Sequence, residues 1–178
     1  MQHKDELEKI FAAYELNDFK WINSQDIVVA NWVRMKCLFG CNEKGHASCP
    51  PYLPEVAECQ KIFREYTNGA LFRFQFYAEK DNYPEKLSHQ LTNTLHKLER
   101  NVFLLGYYKA FILNQVCCGI CPECVMDIKD CKNPYKRRPS PEGFAVDVYT
   151  TARQAGFELN VVTESSQQIS RFAILLIE

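Results

Sequence analysis

The chain has 178 residues, 47% apolar and 24% charged, the balance of an ordinary globular protein long enough to bury a core. Its formal net charge of −1 gives no bulk attraction to nucleic acid or to an acidic membrane surface. The longest apolar run, Phe172 to Ile177, is strand-sized, and the first residues, MQHKDELEKIF, lack the apolar stretch of a signal peptide. These features predict a cytoplasmic protein with neither membrane nor nucleic-acid partners.

Residues 4–16 read as a helix with Leu7, Ile10, Phe11 and Tyr14 on one stripe. Residues 26–35, DIVVANWVRM, read as a strand on their β-branched content, and 37–51 as a loop with Gly40, Gly45, Pro50 and Pro51. A helix opens at Pro54 and Glu55, runs to about Tyr66 on Val56, Cys59, Phe63 and Tyr66, and is ended by Asn68-Gly69. Residues 70–78 alternate Phe72, Phe74 and Phe76 against Arg73, Gln75 and Tyr77, the pattern of a half-buried strand.

The longest helix is expected from Pro84 to about Leu105, on a stripe of Leu87, Leu91, Leu95, Leu98, Val102 and Leu105. After Gly106, YYKAFILNQV reads as a strand that delivers the chain into a second cysteine-rich loop. Ser140 as N-cap, with Pro141 and Glu142 in the first turn, predicts a helix over 141–155 that buries Phe144, Val148 and Ala152, with Gly156 just past its end. Two strands, about 157–163 and 170–177, finish the chain. This order predicts an α+β fold, or an α/β layer sandwich, in a single domain over 1–178. One mixed or antiparallel sheet would be covered by helices, with two cysteine-rich metal-binding loops at one end.

Nine cysteines in a chain without a secretory signal point to metal or catalysis before disulfides. Cys118, Cys121, Cys124 and Cys131 form the series Cys-x2-Cys-x2-Cys-x6-Cys, with Pro134 two residues on. No regular element turns three such thiols to one apolar face while carrying Gly119 and Pro122, whereas a loop curled around a small object does. The spacing resembles the bacterial ferredoxin run that holds a cubane cluster. Structural zinc more often takes its thiolates as two separated pairs, which makes zinc the alternative.

Cys37, Cys41 and Cys49 form a second group, followed by Pro50 and Pro51, and the group lacks a fourth thiol nearby. Cys117, Cys59 or a non-protein ligand are candidates. Cys59 reads first as a small core residue. Adjacent cysteines rarely bind one cluster, so Cys117 is free to serve the second group, and the last Cys of either run is free to cross over. His46 reads as a solvated loop residue before a ligand, and His89 and His96 as surface residues. Lys129, Lys132, Lys136, Arg137 and Arg138 read as a solvated basic rim; the functional alternatives are raising a cluster's potential or docking an acidic partner or phosphate. No Gly-rich phosphate loop, Gly-x-Ser-x-Gly elbow or His-Glu-x-x-His helix is present.

With these residues in view, the chain resembles the cysteine-rich "predicted metal-binding proteins" of anaerobic bacteria and archaea. The resemblance rests on Lys36, Cys37, Gly40, Cys41, Cys49, Pro50 and Pro51, then on Cys118, Cys121, Cys124, Cys131 and Pro134, then on Arg138, Pro139, Ser140, Glu142, Asp147 and Val148. Two positions depart from it: the Gly-Pro that often precedes the later block is Val116-Cys117 here, and a family Gly is Ala145. The resemblance implies a metal, iron–sulfur foremost, and brings no reaction with it.

The expected function is a cytosolic protein holding one or two [4Fe–4S] clusters, in electron transfer with a redox protein or as a redox accessory to another enzyme. Cys118, Cys121, Cys124 and Cys131 would hold one cluster, and Cys37, Cys41, Cys49 and Cys117 the second metal site. An open iron at a three-Cys site would suit substrate binding instead. The alternatives are a zinc-stabilised interaction module and a thiol–disulfide enzyme.

Overall fold

The computed structural model describes residues 3–77, 85–164 and 166–178. Helices α1 (Lys4–Ala13), α2 (Asn31–Leu38), α3 (Val56–Arg64), α4 (Glu85–Leu104) and α5 (Val148–Gln154) surround strands β1 (Phe19–Asn23), β2 (Asn68–Tyr77), β3 (Phe111–Leu113) and β4 (Gln168–Leu176). The strands form one sheet in the order β1-β2-β4-β3, every pairing antiparallel. The fold is therefore α+β, with an antiparallel sheet. The predicted strand end at Ala78 and helix start at Pro84 lie outside the described residues.

Both faces of the sheet are covered. On one, Ala70, Phe72, Ala173 and Leu175 pack with Leu7 and Phe11 of α1 and Leu95, Leu98 and Val102 of α4. On the other, Leu71, Leu113, Phe172, Ile174 and Leu176 pack with Cys59 and Phe63 of α3, Phe144, Val146, Ala152 and Phe157. Double burial explains why Phe172 to Ile177 are consecutive apolar residues, since a strand covered on both sides has no polar face. The same cover corrects the half-buried reading of residues 70–78: Ala70, Leu71 and Phe72 are all buried, and exposure begins at the far end of β2. Phe11 meets Phe19 and Phe72 edge-on, each at 5.0 Å between ring centroids, and burying each such ring contributes about 1.5–3 kcal/mol.

The helical stripes of α1 and α4 match their predicted apolar positions over most of their length. At the N-terminal end of α4, however, Leu87 is exposed while Ser88 and Thr92 are buried, so this end faces something polar. Asn68-Gly69 does not end α3 but begins β2. A Cβ on Gly69 would come within 2.9 Å of the Leu175 carbonyl oxygen, so only glycine lets β2 and β4 approach there.

Three local expectations fail. The strand over 26–35 is instead a short turn, Ser24–Asp26, an isolated bridge from Val29 to Val146, and helix α2. The valines made the segment look extended, but Val33 and Arg34 are buried on one side of a helix that leads to Cys37. Cys37 therefore leaves from a helix rather than opening a loop. The helix over 141–155 is broken: Glu142–Phe144 form one turn, Ala145 takes φ 58°, and Asp147 caps α5 by accepting the Thr150 amide at 3.0 Å. Gly156, at φ 88°, does follow α5 as expected. Residues 157–163 do not form a strand; Val161 is 65% exposed and faces no sheet partner. The strand expected from YYKAFILNQV shrinks to Phe111–Leu113.

Candidate metal centre

The later cysteine group lies on a loop whose neck is stitched shut. The Asn114 amide donates to Pro139 O at 2.8 Å and the Cys118 amide to Arg138 O at 3.2 Å. Asn114 Nδ2 also donates to Cys118 O at 3.2 Å. The polar end of α4 closes over this neck. Gln115 Nε2 donates to Ser88 Oγ at 3.3 Å, and His89 Nδ1 donates to Gly119 O at 2.6 Å. Gly119, at φ 70°, leaves room for Thr92 Oγ1, which a Cβ would meet at 3.1 Å.

Two thiols of this group receive N–H hydrogen bonds, and backbone groups favour the thiolate of a third. Asn133 Nδ2 donates to Cys121 Sγ at 3.2 Å and the Met126 amide to Cys124 Sγ at 3.5 Å, while the backbone at Ile120 and Arg138 favours the Cys118 thiolate. Donors aimed at sulfur favour the thiolate, the form that binds metal. Burial pushes the Cys118 thiol up, the two backbone groups oppose it, and the charges of Cys124 and Cys131 add to the rise. Cys118, Cys124 and Cys131 are thus electrostatic neighbours. The donor set fits a thiolate-held centre: soft ligands, supported by N–H groups, in a loop with a fixed neck.

The neck is held from outside by Arg138. Its Nε and Nη2 fork onto Glu99 of α4 at 2.8 and 2.5 Å, and Nη1 donates to Tyr135 O and Arg137 O at 3.1 and 2.9 Å. Glu99 also accepts the Ile112 amide at 2.8 Å. Arg138 is consequently a clamp, which corrects its reading as part of a solvated rim. His89 and His96 are corrected too, since both are half-buried against this loop. Burial, then the charge of Arg138, pushes His96 down, and its ring bonds the Lys136 backbone.

The first group resolves into two neighbourhoods. In one, Cys37 on the last turn of α2 donates to Glu142 O at 3.6 Å beside exposed Cys41. In the other, buried Cys49 lies beside Cys117, whose thiol is pushed far up by contact with Cys49, then by burial and the Glu43 carboxylate. Cys117 therefore sides with the first group and Cys118 with the later one, and the two groups meet at one peptide bond. His46 is not solvated. It is 5% exposed, its Nδ1 accepts the Ser48 amide at 3.3 Å, and burial pushes its pKa down. Cys59 is fully buried in the second core, as expected of a packing cysteine, and donates to Pro54 O at 3.5 Å.

Among the described residues all nine cysteines are free thiols, and no three His, Cys, Asp or Glu side chains stand ready to hold a single ion. A cavity of about 430 Å³ lined by Trp21, Asp26, Val28 and Thr151 includes none of the cysteines. Glu43, Glu99 and Arg34 were missed by sequence reasoning: Glu43 meets Cys117 and Glu99 meets Arg138 only in the fold, and Arg34 is set near Cys37 by a helix where a strand was expected. No helix among the described residues is long and apolar enough to cross a membrane. No curated protein and no solved structure matches the chain. Residues 20–177 match the profile of the family described as "Predicted metal-binding protein (DUF2284)", and the chain belongs to that family of metal-binding proteins.

Proposed function

We propose that the chain is an iron–sulfur protein that passes electrons, either to a redox partner protein or as an accessory to another enzyme. Cys118, Cys121, Cys124 and Cys131 hold one [4Fe–4S] cluster, and Cys37, Cys41, Cys49 and Cys117 hold a second centre. The observation that carries this reading is the pair of N–H groups directed at Cys121 and Cys124 within one stitched loop. Such donors tune iron–sulfur centres, as hydrogen bonds to cluster sulfurs set reduction potential. A bound cluster supplies one-electron chemistry. The chain supplies the thiolates, the fixed neck and the partial shielding of four half-buried or buried sulfurs from water.

The abutment of the two groups at Cys117 and Cys118 supports internal electron passage, because the two centres would be separated by little more than one residue. A partner has a landing surface beside the first group, where Met35 and Phe39 are exposed at 57% and 78% next to exposed Cys41. The deciding experiment is iron, acid-labile sulfide and zinc per chain after strictly anoxic purification. The expected result is brown protein with about four or about eight iron and matching sulfide. Colourless protein with stoichiometric zinc and no sulfide overturns the proposal.

A further inference from the structure

The cavity of about 430 Å³ beside β1 lies within the size range of small-molecule sites. One wall is the end of β1 with the turn that follows it, from Trp21 to Val28, and the other is the C-terminal end of α5, with Thr151, Gln154 and Ala155. Hydrogen bonds tie the two walls together. The Val28 amide donates to Thr151 Oγ1 at 3.1 Å, and the Asp147 amide to Val28 O at 2.7 Å. The turn itself is held by Asn23 Oδ1, which accepts the Gln25 amide at 3.0 Å.

The charge of this cavity is one-sided. Of the described residues that line it, only Asp26 has an ionisable side chain, and no hydrogen bond or ion pair among the described residues engages its carboxylate. Cations on the surrounding elements are engaged elsewhere. Lys20 of β1 lies over the Phe157 ring at 5.8 Å, and Lys4 of α1 over the Trp21 ring at 5.6 Å. Arg153 of α5 donates through Nε and Nη2 to Leu159 O at 3.0 and 2.8 Å.

Neutral hydrogen-bonding groups stand beside the carboxylate. β1 pairs with β2 alone. The Arg73 amide donates to Asp18 O and the Ser24 amide to Thr67 O, so alternate residues turn their backbone to β2, and Trp21 turns its N–H and C=O to the open edge of the strand. The side-chain amides of Gln25 and Gln154 line the same space, and Ile22, Ile27 and Val28 give it an apolar surface.

We propose that this cavity binds a small organic cation, a protonated amine carried on an apolar body. The ammonium pairs with Asp26, and its remaining N–H groups are accepted by the Trp21 carbonyl and a glutamine side-chain oxygen. The apolar body lies on Ile22, Ile27 and Val28. Charge makes the selection: an amine gains a charge-assisted hydrogen bond, an alcohol of the same shape gains a neutral one, and a carboxylate meets Asp26 as a like charge. No cysteine takes part, and binding is independent of the metal the chain holds.

The test is an NMR titration of the full, isotope-labelled chain, purified under anoxic conditions, with phenethylammonium, phenethyl alcohol and phenylacetate. Phenethylammonium is expected to shift the amide signals of residues 21–28 and 151–155 saturably, with an affinity about tenfold or more above that of the alcohol, and phenylacetate to leave them in place. Asp26→Asn is expected to cost phenethylammonium about tenfold in affinity while the rest of the spectrum stays as in wild type, since Asp26 is exposed and holds no other group. The proposal is overturned by the absence of a saturable shift with the amine, by shifts centred elsewhere, or by equal affinity for the amine and the alcohol. Unchanged binding in Asp26→Asn overturns it as well. The three probes are compared on the native chain, so that comparison needs no variant to fold.

Discussion

Glu99→Ala should loosen the later cysteine loop without touching a cysteine. The carboxylate takes two hydrogen bonds from Arg138, at 2.8 and 2.5 Å, with the two side chains only 13% and 17% exposed. It also accepts the amide of Ile112, a fully buried residue of β3. Removing one partner of a buried ion pair costs about 3–5 kcal/mol, and stranding a buried amide about 1–3 kcal/mol. Arg138 keeps two carbonyls and the Phe111 ring, 5.0 Å away, so its charge is not wholly abandoned. The net expectation is about 4 kcal/mol for Glu99→Ala and about 2 kcal/mol for Glu99→Gln, which preserves an acceptor for Ile112. Urea unfolding of the reduced, metal-free chain measures both, and a double-mutant cycle with Arg138→Met should return a coupling of about 2 kcal/mol. Because the Arg138 carbonyl accepts the Cys118 amide, Glu99→Ala should also hasten metal loss from the later group and spare the first. A destabilisation under about 1 kcal/mol, or a coupling near zero, would refute the clamp.

Serine at Cys118 or Cys121 should remove one centre and leave the other, serine at Cys49 or Cys117 should do the converse, and Cys59→Ser should keep both; iron per chain reads all five. His96 is held below its ordinary value, so the unfolded chain binds the extra proton first. Its contribution is complete above about pH 6.5 and is lost as pH falls through the lowered native value. His96→Gln should therefore flatten the decline in urea midpoint between about pH 7 and pH 5, and an unaltered decline would show that other groups cause it. Ala145, fully buried at φ 58°, balances two small terms. Ala145→Gly relieves about 1 kcal/mol of left-handed strain and forfeits about 0.8 kcal/mol of methyl burial, for a change near zero. Ala145→Val adds a β-branch in a conformation that resists it and overfills the site, for a loss of about 3 kcal/mol. Thermal unfolding distinguishes the two.

What was legible in the chain was periodic and local. Leu7 and Phe11, or Leu95, Leu98 and Val102, announce their helices because one apolar side repeats at helical spacing, and the structure buries those positions. The segment 26–35 misled because Val28, Val29 and Val33 carry a strand signature while the residue that anchors the helix is Arg34, whose burial depends on carbonyls 20 and 109 residues away. The broken helix at Ala145 was hidden for the opposite reason. Ser140 and Pro141 are sound start signals, and nothing in their neighbourhood reveals that Val146 must bridge Val29.

The cysteine pattern marked the candidate ligands from spacing alone, yet it left the allegiance of Cys117 open. The fold sets the two thiols in different surroundings. Cys118 takes φ 23° and Gly119 φ 70°, a twist that turns the chain sharply just where the two thiols sit. Cys117 then falls beside Cys49 and Glu43, while Cys118 falls among Cys124, Cys131 and the Arg138 backbone. Adjacent cysteines are poor partners on one small centre because a single peptide rarely brings both sulfurs to it. The same constraint lets one peptide bond hold the two thiols in different surroundings, Cys117 beside Cys49 and Cys118 beside Cys124 and Cys131.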